Sequence, residues 1–294
     1  MLRKYLRKIT DRILAPYLDA QGKMYMQQIP ALNQATQLLL KLAYQELARS
    51  RKPLPGFGDV EFRSFSQNGE DGILLYIFSL IGTTNKKAVE IGCGNGLENN
   101  TANLIINHGW RGLLIDGDAK NIAHAKEFYT HSRDTFITPP NTLHAWVTRE
   151  NINRLMTEHG MSGEIDLLSL DIDGMDYWIW EALTAVSPRV VILEYHEEFG
   201  HEPITVPYDP QFNRMKQDPR YHGASLPAFV KLAHAKGYRL VGSNLQKFNA
   251  LFLRHDTGVD VFPEIPFTAC MRDTDPNHYT LVNDLLKTYP LERI

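Results

Sequence analysis

Residues 87–96 read Lys-Ala-Val-Glu-Ile-Gly-Cys-Gly-Asn-Gly, so a short apolar run passes directly into a stretch with glycine at positions 92, 94 and 96. Glycine there lets the backbone take positive φ and lets a ligand approach where a Cβ would collide. A chain carrying this feature is constrained to end a strand at a tight turn, and a small molecule is expected against that turn. A helical pattern follows over Thr101–Asn107. Then come Gly109-Trp110-Arg111-Gly112 and a second apolar strand, Leu113-Leu114-Ile115, ending in Asp116. An acid at the end of the second strand is placed to accept hydrogen bonds from a ribose diol. The plainer alternative is a βα turn with Asp116 as a helix cap.

A glycine turn and a ribose acid suit both dinucleotides and S-adenosylmethionine. The spacing here departs from G-x-G-x-x-G, and Glu90 lies two positions before the first glycine. A carboxylate there would attract a cationic methionine moiety and repel a diphosphate, which favours the adenosylmethionine reading.

At 294 residues the chain has room for one large α/β domain with additions or for two small ones. The net charge of −3 gives no overall reason to expect nucleic acid. The charge is uneven: residues 1–52 hold 10 Lys/Arg against 3 Asp/Glu, a formal +7 that leaves −10 for the rest. No apolar run approaches the ~20 residues of a membrane span, and the basic residues among Leu2, Leu6 and Ile9 do not read as a secretory leader. Two cysteines, Cys93 and Cys270, are too few for a disulfide framework. A reducing, cytoplasmic location is expected.

The N-terminal arm, residues 1–58, shows helical spacing in Leu2, Leu6, Ile9 and Ile13 and again over Leu32–Ala48. Packing or homo-oligomerisation through this arm is expected, with contact to an anionic membrane surface as an alternative. A main domain over 59–256 then alternates strands and helices, and 257–294 form an extension packed upon it. Strands are expected at Ala88–Ile91, Leu113–Ile115, around Asp134–Ile137, Ile165–Leu170 and Val190–Leu193, with helices over Arg149–His159 and Trp178–Val186. The spacing predicts a parallel sheet covered on both faces. His201–Tyr221, with four prolines, reads as a lid or substrate loop. Ser225 caps a helix to Lys236, Tyr238–Val241 and Ala250–Leu253 close the sheet, and a last helix is expected near Tyr279–Lys287.

Ahead of the first strand, Ser66-Gln67-Asn68-Gly69-Glu70-Asp71 either caps a helix or brings Gln67 and Glu70 to the cofactor. The fourth strand ends in Asp171-Ile172-Asp173-Gly174-Met175-Asp176 and the fifth in Glu194-Tyr195-His196. Ligands of open α/β sheets sit at the carboxyl ends of the strands. The two-residue period predicts that Asp171 and Asp173 share one side, that Glu194 and His196 share a face directed at the same crevice, and that Asp176 caps the next helix. Asp171, Asp173, Glu194 and His196 are candidate ligands of a divalent ion such as Mg²⁺. Asp171, Asp173 and His196 are equally candidate catalytic groups, His196 as general base for a hydroxyl. A structural Glu194–His196 pair is the alternative. Tyr177, Trp178, Trp180, Tyr195, Tyr208 and Tyr221 offer aromatic surface for an acceptor, Trp178 and Trp180 fitting the core better.

The order Ser66–Asp71, Val89–Gly96 and Gly109–Asp116 resembles the class I S-adenosylmethionine-dependent methyltransferases, closest to their FkbM-type branch. Leu170-Asp171-Ile172-Asp173-Gly174 stands where that branch has Ile-Asp-x-Glu-Gly, so Asp173 replaces a glutamate, and Asp116 stands where many members have glutamate. The likeness covers residues 62–255. It implies an α/β, doubly wound, Rossmann-like seven-stranded methyltransferase sheet with a helical N-terminal extension. It also implies a cofactor site of Gln67, Glu70, Glu90, Gly92, Gly94, Asn95, Gly96, Asp116 and Asp171. The function expected is methyl transfer to a hydroxyl of a small molecule or sugar, with divalent-metal assistance as an option. A NAD-dependent oxidoreductase and a non-catalytic binding module are the rival readings. Nucleic acid is disfavoured as substrate because the main domain is acidic.

Overall fold

The computed structural model describes residues 33–273, 275 and 279–294. The helical pattern of residues 2–13, and the membrane reading built on it, lie outside the described residues. The second tract of the arm is helix α1 (33–49). It docks on the main domain through Tyr44, edge-on to Tyr76 at 4.9 Å, and through Gln37, hydrogen-bonded to Asn103 and His108. Leu38, Leu39 and Leu42 face outward from it.

After the short α2 (Phe57–Val60), α3 (Glu70–Ile81) leads into β1 (Lys87–Ile91), α4 (Ala102–His108), β2 (Arg111–Asp116) and α5 (Ala119–His131). Then come β3 (Asn141–His144), α6 (Ile152–Glu158), β4 (Gly163–Leu170), α7 (Asp176–Ala182) and β5 (Val186–Glu194). The chain closes with β6 (Ile204–Thr205), α8 (Leu226–Lys236), β7 (Tyr238–Ser243), β8 (Asn249–Arg254), α9 (Leu281–Thr288) and β9 (Glu292–Arg293). The main sheet runs β3-β2-β1-β4-β5-β8-β7, and β6 pairs with β9 in a separate two-stranded sheet. The first five strands are mutually parallel, and β8 is antiparallel to both β5 and β7. This is the Rossmann-like seven-stranded sheet of the methyltransferase fold, as expected from the sequence.

The strands that carry continuous apolar runs lie at the centre, which suits strands buried on both faces. One core packs α6, α7 and α8 against one face of the sheet, and a second packs α1, α3, α4 and α5 against the other. The buried acid of β4, Asp166, meets Arg189 of β5 at 2.8 Å and accepts from the amides of Thr84, Asn85 and Lys86. Burial alone would raise its pKa, but the guanidinium and the amides hold it below the usual carboxylate value. The entry to β1 is thereby tied to β4 and β5.

Strand order reverses between β1 and β4, so the crevice for a ligand opens at their carboxyl ends. The glycine turn and Asp171 stand at that point, because Ile91 pairs with Leu170 and the Asp171 amide donates to the Ile91 carbonyl at 3.0 Å.

Three expectations need correction. The third strand is Asn141–His144, not 134–137: Phe136 and Ile137 are 56% and 78% exposed in a turn after α5, so their apolar character does not report burial. The helix before β5 spans Asp176–Ala182 and stops short of Val186, where β5 already begins. The last helix starts at Leu281. The 201–221 segment is pinned at its start by the β6–β9 pair and by the Ile294 amide on the Pro203 carbonyl, which leaves residues 208–215 to roof the crevice.

Candidate functional site

A cavity of about 910 Å³ opens at the strand ends, within the usual range for small-molecule sites. One end is lined by Asp116, Asn121 and Trp146, the other by Asp171, Asp173 and Glu194, with Gly92 and Gly94 between them and Gln67 at the edge.

Gly92 has φ +86°, and a Cβ on it would lie 1.7 Å from the carbonyl oxygen of Asp171. The turn therefore presses against β4, and only glycine permits this. Its amides face inward. Gly92 and Cys93 donate to the Ile115 carbonyl at 2.9 and 3.0 Å, Gly96 donates to the Cys93 carbonyl, and Gly94 donates to Asp116 Oδ2 at 2.8 Å. Gly96 lies against α5, where a Cβ would meet that of Ala125 at 2.6 Å. Asp116 Oδ1 also accepts from the Asp118 amide at 2.7 Å and from Asn121 Nδ2 at 3.2 Å. The acid at the end of β2 is thus held rigidly on the cavity wall.

Several predicted cofactor residues stand outside the cavity. Glu90 is buried beneath the turn and accepts from the Thr101 amide at 2.8 Å and Ser169 Oγ at 2.7 Å. Burial pushes its pKa up to about 7 against those hydrogen bonds. Glu70 is buried and accepts from Asn244 and Asn249 Nδ2, both at 2.8 Å, which joins the start of α3 to the β7–β8 hairpin. Asn95 accepts from the Leu97 amide, closing the turn on itself. Of the candidate aromatic groups only Tyr208 lines the cavity; Tyr177, Trp178, Trp180 and Tyr195 belong to the core.

The carboxylate end departs from the two-residue period because β4 stops at Leu170 and β5 at Glu194. Asp171 lines the cavity. Burial, then the charges of Asp176, Asp173 and Glu90, push its pKa up to about 8. Asp173 adopts φ +55°, turns outward and pairs with Arg214. Asp176 folds back to accept from the amides of Ile172 and Gly174 at 2.8 and 3.0 Å, so it caps the turn before its own helix; burial still raises its pKa to about 6. Glu194 lines the cavity, and burial followed by the neighbouring aspartates raises its pKa well above the ordinary value.

His196 lies behind this rim. Its ring stacks on Phe199 at 4.4 Å and touches the ring of His222 at 4.5 Å, and its Nε2 is buried with no partner among the described residues. Burial and the nearby His222 draw its pKa down to about 3. The histidine that faces the carboxylates is His222. Among the described residues the metal-competent cluster is Asp173, Glu194 and His222, with ligand atoms within 4.8 Å of one another. Asp171 and His196 fall outside it.

Arg214, His222 and Trp146 carry no local signal in the sequence. Arg214 and His222 flank the irregular 215–221 stretch, and His222 reaches the rim because the Gly223 amide donates to the Gly174 carbonyl at 3.1 Å. Trp146 packs over Gly117 and donates from Nε1 to the Pro210 carbonyl at 2.9 Å, which links the Asp116 end of the cavity to its roof. Phe212 of the roof sits on Gly174, where a Cβ would lie 2.3 Å from the ring.

No family model and no curated protein matches the chain. Among solved structures it is similar to magnesium protoporphyrin IX methyltransferase from Synechocystis PCC 6803, with 12% identity, 63% of this chain and 77% of that one covered, and a TM-score of 0.40. It is also similar to the CcbJ methyltransferase from Streptomyces caelestis, with 10% identity, 67% and 96% covered, and a TM-score of 0.43. A third likeness is to an S-adenosylmethionine-dependent methyltransferase from Clostridium acetobutylicum, with 10% identity, 72% and 96% covered, and a TM-score of 0.40. The fold assignment rests on the strand order itself.

Proposed function

We propose that the protein is an S-adenosylmethionine-dependent methyltransferase acting on a hydroxyl of a small molecule or sugar. The observation that carries this reading is the state of the glycine turn. Its amides at Gly92, Cys93, Gly94 and Gly96 are already committed to protein acceptors. The first helix after it is capped by Asn99 and Glu90, which accept from the amides of Ala102 and Thr101. A dinucleotide needs free amides at that turn and helix start to hold its diphosphate. Here acids fill that place, and a cationic cofactor suits it.

In this reading Asp116 receives the ribose hydroxyls, the glycine turn and Asp171 flank the methionine portion, and Trp146 borders the base. Bound there, S-adenosylmethionine supplies a methyl group that moves to the acceptor oxygen as the carbon–sulfur bond breaks and its electron pair stays on sulfur. The chain's own part is alignment, water exclusion and proton removal. The acceptor's proton passes to a carboxylate of the Asp171–Glu194 pair, whose raised proton affinity suits a base working near neutral pH. His196 does not line this cavity. Asp173 holds Arg214 and, through it, the roof. A divalent ion at the rim would assist by acidifying the hydroxyl.

The test is turnover against a panel of hydroxylated sugars and small molecules with methyl-labelled cofactor. The reading expects label on oxygen and a loss of at least about 100-fold in kcat for Asp171→Asn, within the range for general-base removal. Cofactor binding without transfer to any acceptor would favour the non-catalytic module.

A further inference from the structure

The β4–α7 turn, the end of β5 and the approach to α8 bring two carboxylates and an imidazole to one point. A carboxylate oxygen of Asp173, one of Glu194 and a ring nitrogen of His222 lie within 4.8 Å of one another. His222 is only 8% exposed, and no hydrogen bond to its ring occurs among the described residues. The Glu194 carboxylate likewise has no hydrogen-bond donor among them. These polar groups face one another without a protein partner, which leaves a gap to be filled. Water or a cation is the chemistry that would do so. The surroundings suit the cation, because the carboxyl groups of Asp171 and Asp176 share the rim with Glu194 and would release their protons more readily beside one.

One positive group is already there. Arg214 pairs with Asp173 from the cavity roof, and its side chain is about one-third exposed. It leaves Glu194 and His222 without a hydrogen bond. We propose that Asp173, Glu194 and His222 bind one divalent first-row transition ion, and that Arg214 is the resident cation that this ion displaces from Asp173. Metal–ligand bonds of ~2.0–2.2 Å place ligand atoms about 3 Å apart, so the three groups must draw together from the present spacing. The imidazole sets the class of ion: two carboxylates and one histidine suit Mn²⁺, Fe²⁺, Co²⁺ or Zn²⁺ better than Mg²⁺, which takes oxygen ligands alone. As a route to acceptor activation the ion rests on the methyltransferase reading, but its binding does not.

The experiment is titration of chelator-stripped, full-length protein with Mn²⁺ alone, by calorimetry and by electron paramagnetic resonance. One ion per chain is expected, with imidazole nitrogen coupling in the pulsed spectrum. Asp173→Asn, at an exposed position where folding is not at risk, weakens binding at least 10-fold. His222→Gln removes the nitrogen coupling, while His196→Gln keeps it. Arg214→Gln tightens binding, and Mg²⁺ binds at least 10-fold more weakly than Mn²⁺. Absence of Mn²⁺ binding in both the wild type and Arg214→Gln overturns the proposal, as does nitrogen coupling that survives His222→Gln. S-adenosylmethionine titrated into the same metal-free protein separates the two readings: loss of that signal with Mn²⁺ binding intact counts against the methyltransferase alone.

Discussion

Asp116 holds the glycine turn and faces the cavity with the same carboxylate, so its removal acts on both. Asp116→Ala is expected to weaken S-adenosylmethionine binding roughly 10–100-fold, the loss of one or two hydrogen bonds to a charged acceptor, while far-ultraviolet circular dichroism stays unchanged. Gly92→Ala is a different kind of change. Its Cβ would lie 1.7 Å from the Asp171 carbonyl at a φ of +86°, so β1 and β4 must separate. Destabilisation of about 3 kcal/mol or more is expected, read as a lower denaturant midpoint, because strain at positive φ adds to overpacking. Both positions were legible in the sequence, since a glycine after an apolar strand and an acid at the end of the next carry a local signature. His222 and Arg214 were not. Nothing near them in the chain marks the rim, and only the Gly223–Gly174 hydrogen bond and the Asp173 ion pair bring them there.

Between elements, the roof formed by residues 208–215 is held by contacts that include Trp146 on Pro210, Phe212 on Gly174 and Arg214 on Asp173. Gly174→Ala puts a Cβ 2.3 Å from the Phe212 ring and should unseat the roof from the β4 end. Faster limited proteolysis within 208–217 is expected, together with a raised KM for the acceptor and nearly unchanged cofactor affinity. Unaltered proteolysis would show that Phe212 does not anchor the roof. The central strands and α8 were readable because continuous apolar runs and a serine cap are local signals. The third strand was not, because Asn141–His144 is a half-buried edge strand, whereas exposed Phe136 and Ile137 imitate a buried one. The alternation of side chains past Leu170 and Glu194 failed for a related reason: the period ends where the strand ends, and Asp173 then turns at positive φ.

At the scale of the molecule, the buried acids make stability depend on pH with a definite sign. Glu90, raised to about 7, and Asp171, raised to about 8, keep protons in the folded protein that the unfolded chain has already lost. Their contribution is complete below the unfolded values near 4 and disappears as pH rises through about 7 and 8. The histidines drawn down to about 3 and 4, His196 and His222, act oppositely but only below about pH 6.5. Between pH 6.5 and 8.5 the acids therefore dominate, and the Tm of the cofactor-free protein should fall, by roughly 2–4 °C for each kcal/mol lost. Asp171→Asn should flatten that slope, and a slope unchanged by it would move the effect elsewhere. No described helix is long and apolar enough to cross a membrane.

In the proposed reading acids occupy the place a diphosphate would need, and the crevice takes a cationic sulfur cofactor. The most direct measurement is calorimetric titration of the full-length protein with S-adenosylmethionine and S-adenosylhomocysteine, with NAD⁺ as the control. Micromolar binding of both sulfur compounds at one site per chain is expected, with no heat from NAD⁺. Saturable NAD⁺ binding with no response to either sulfur compound would contradict it.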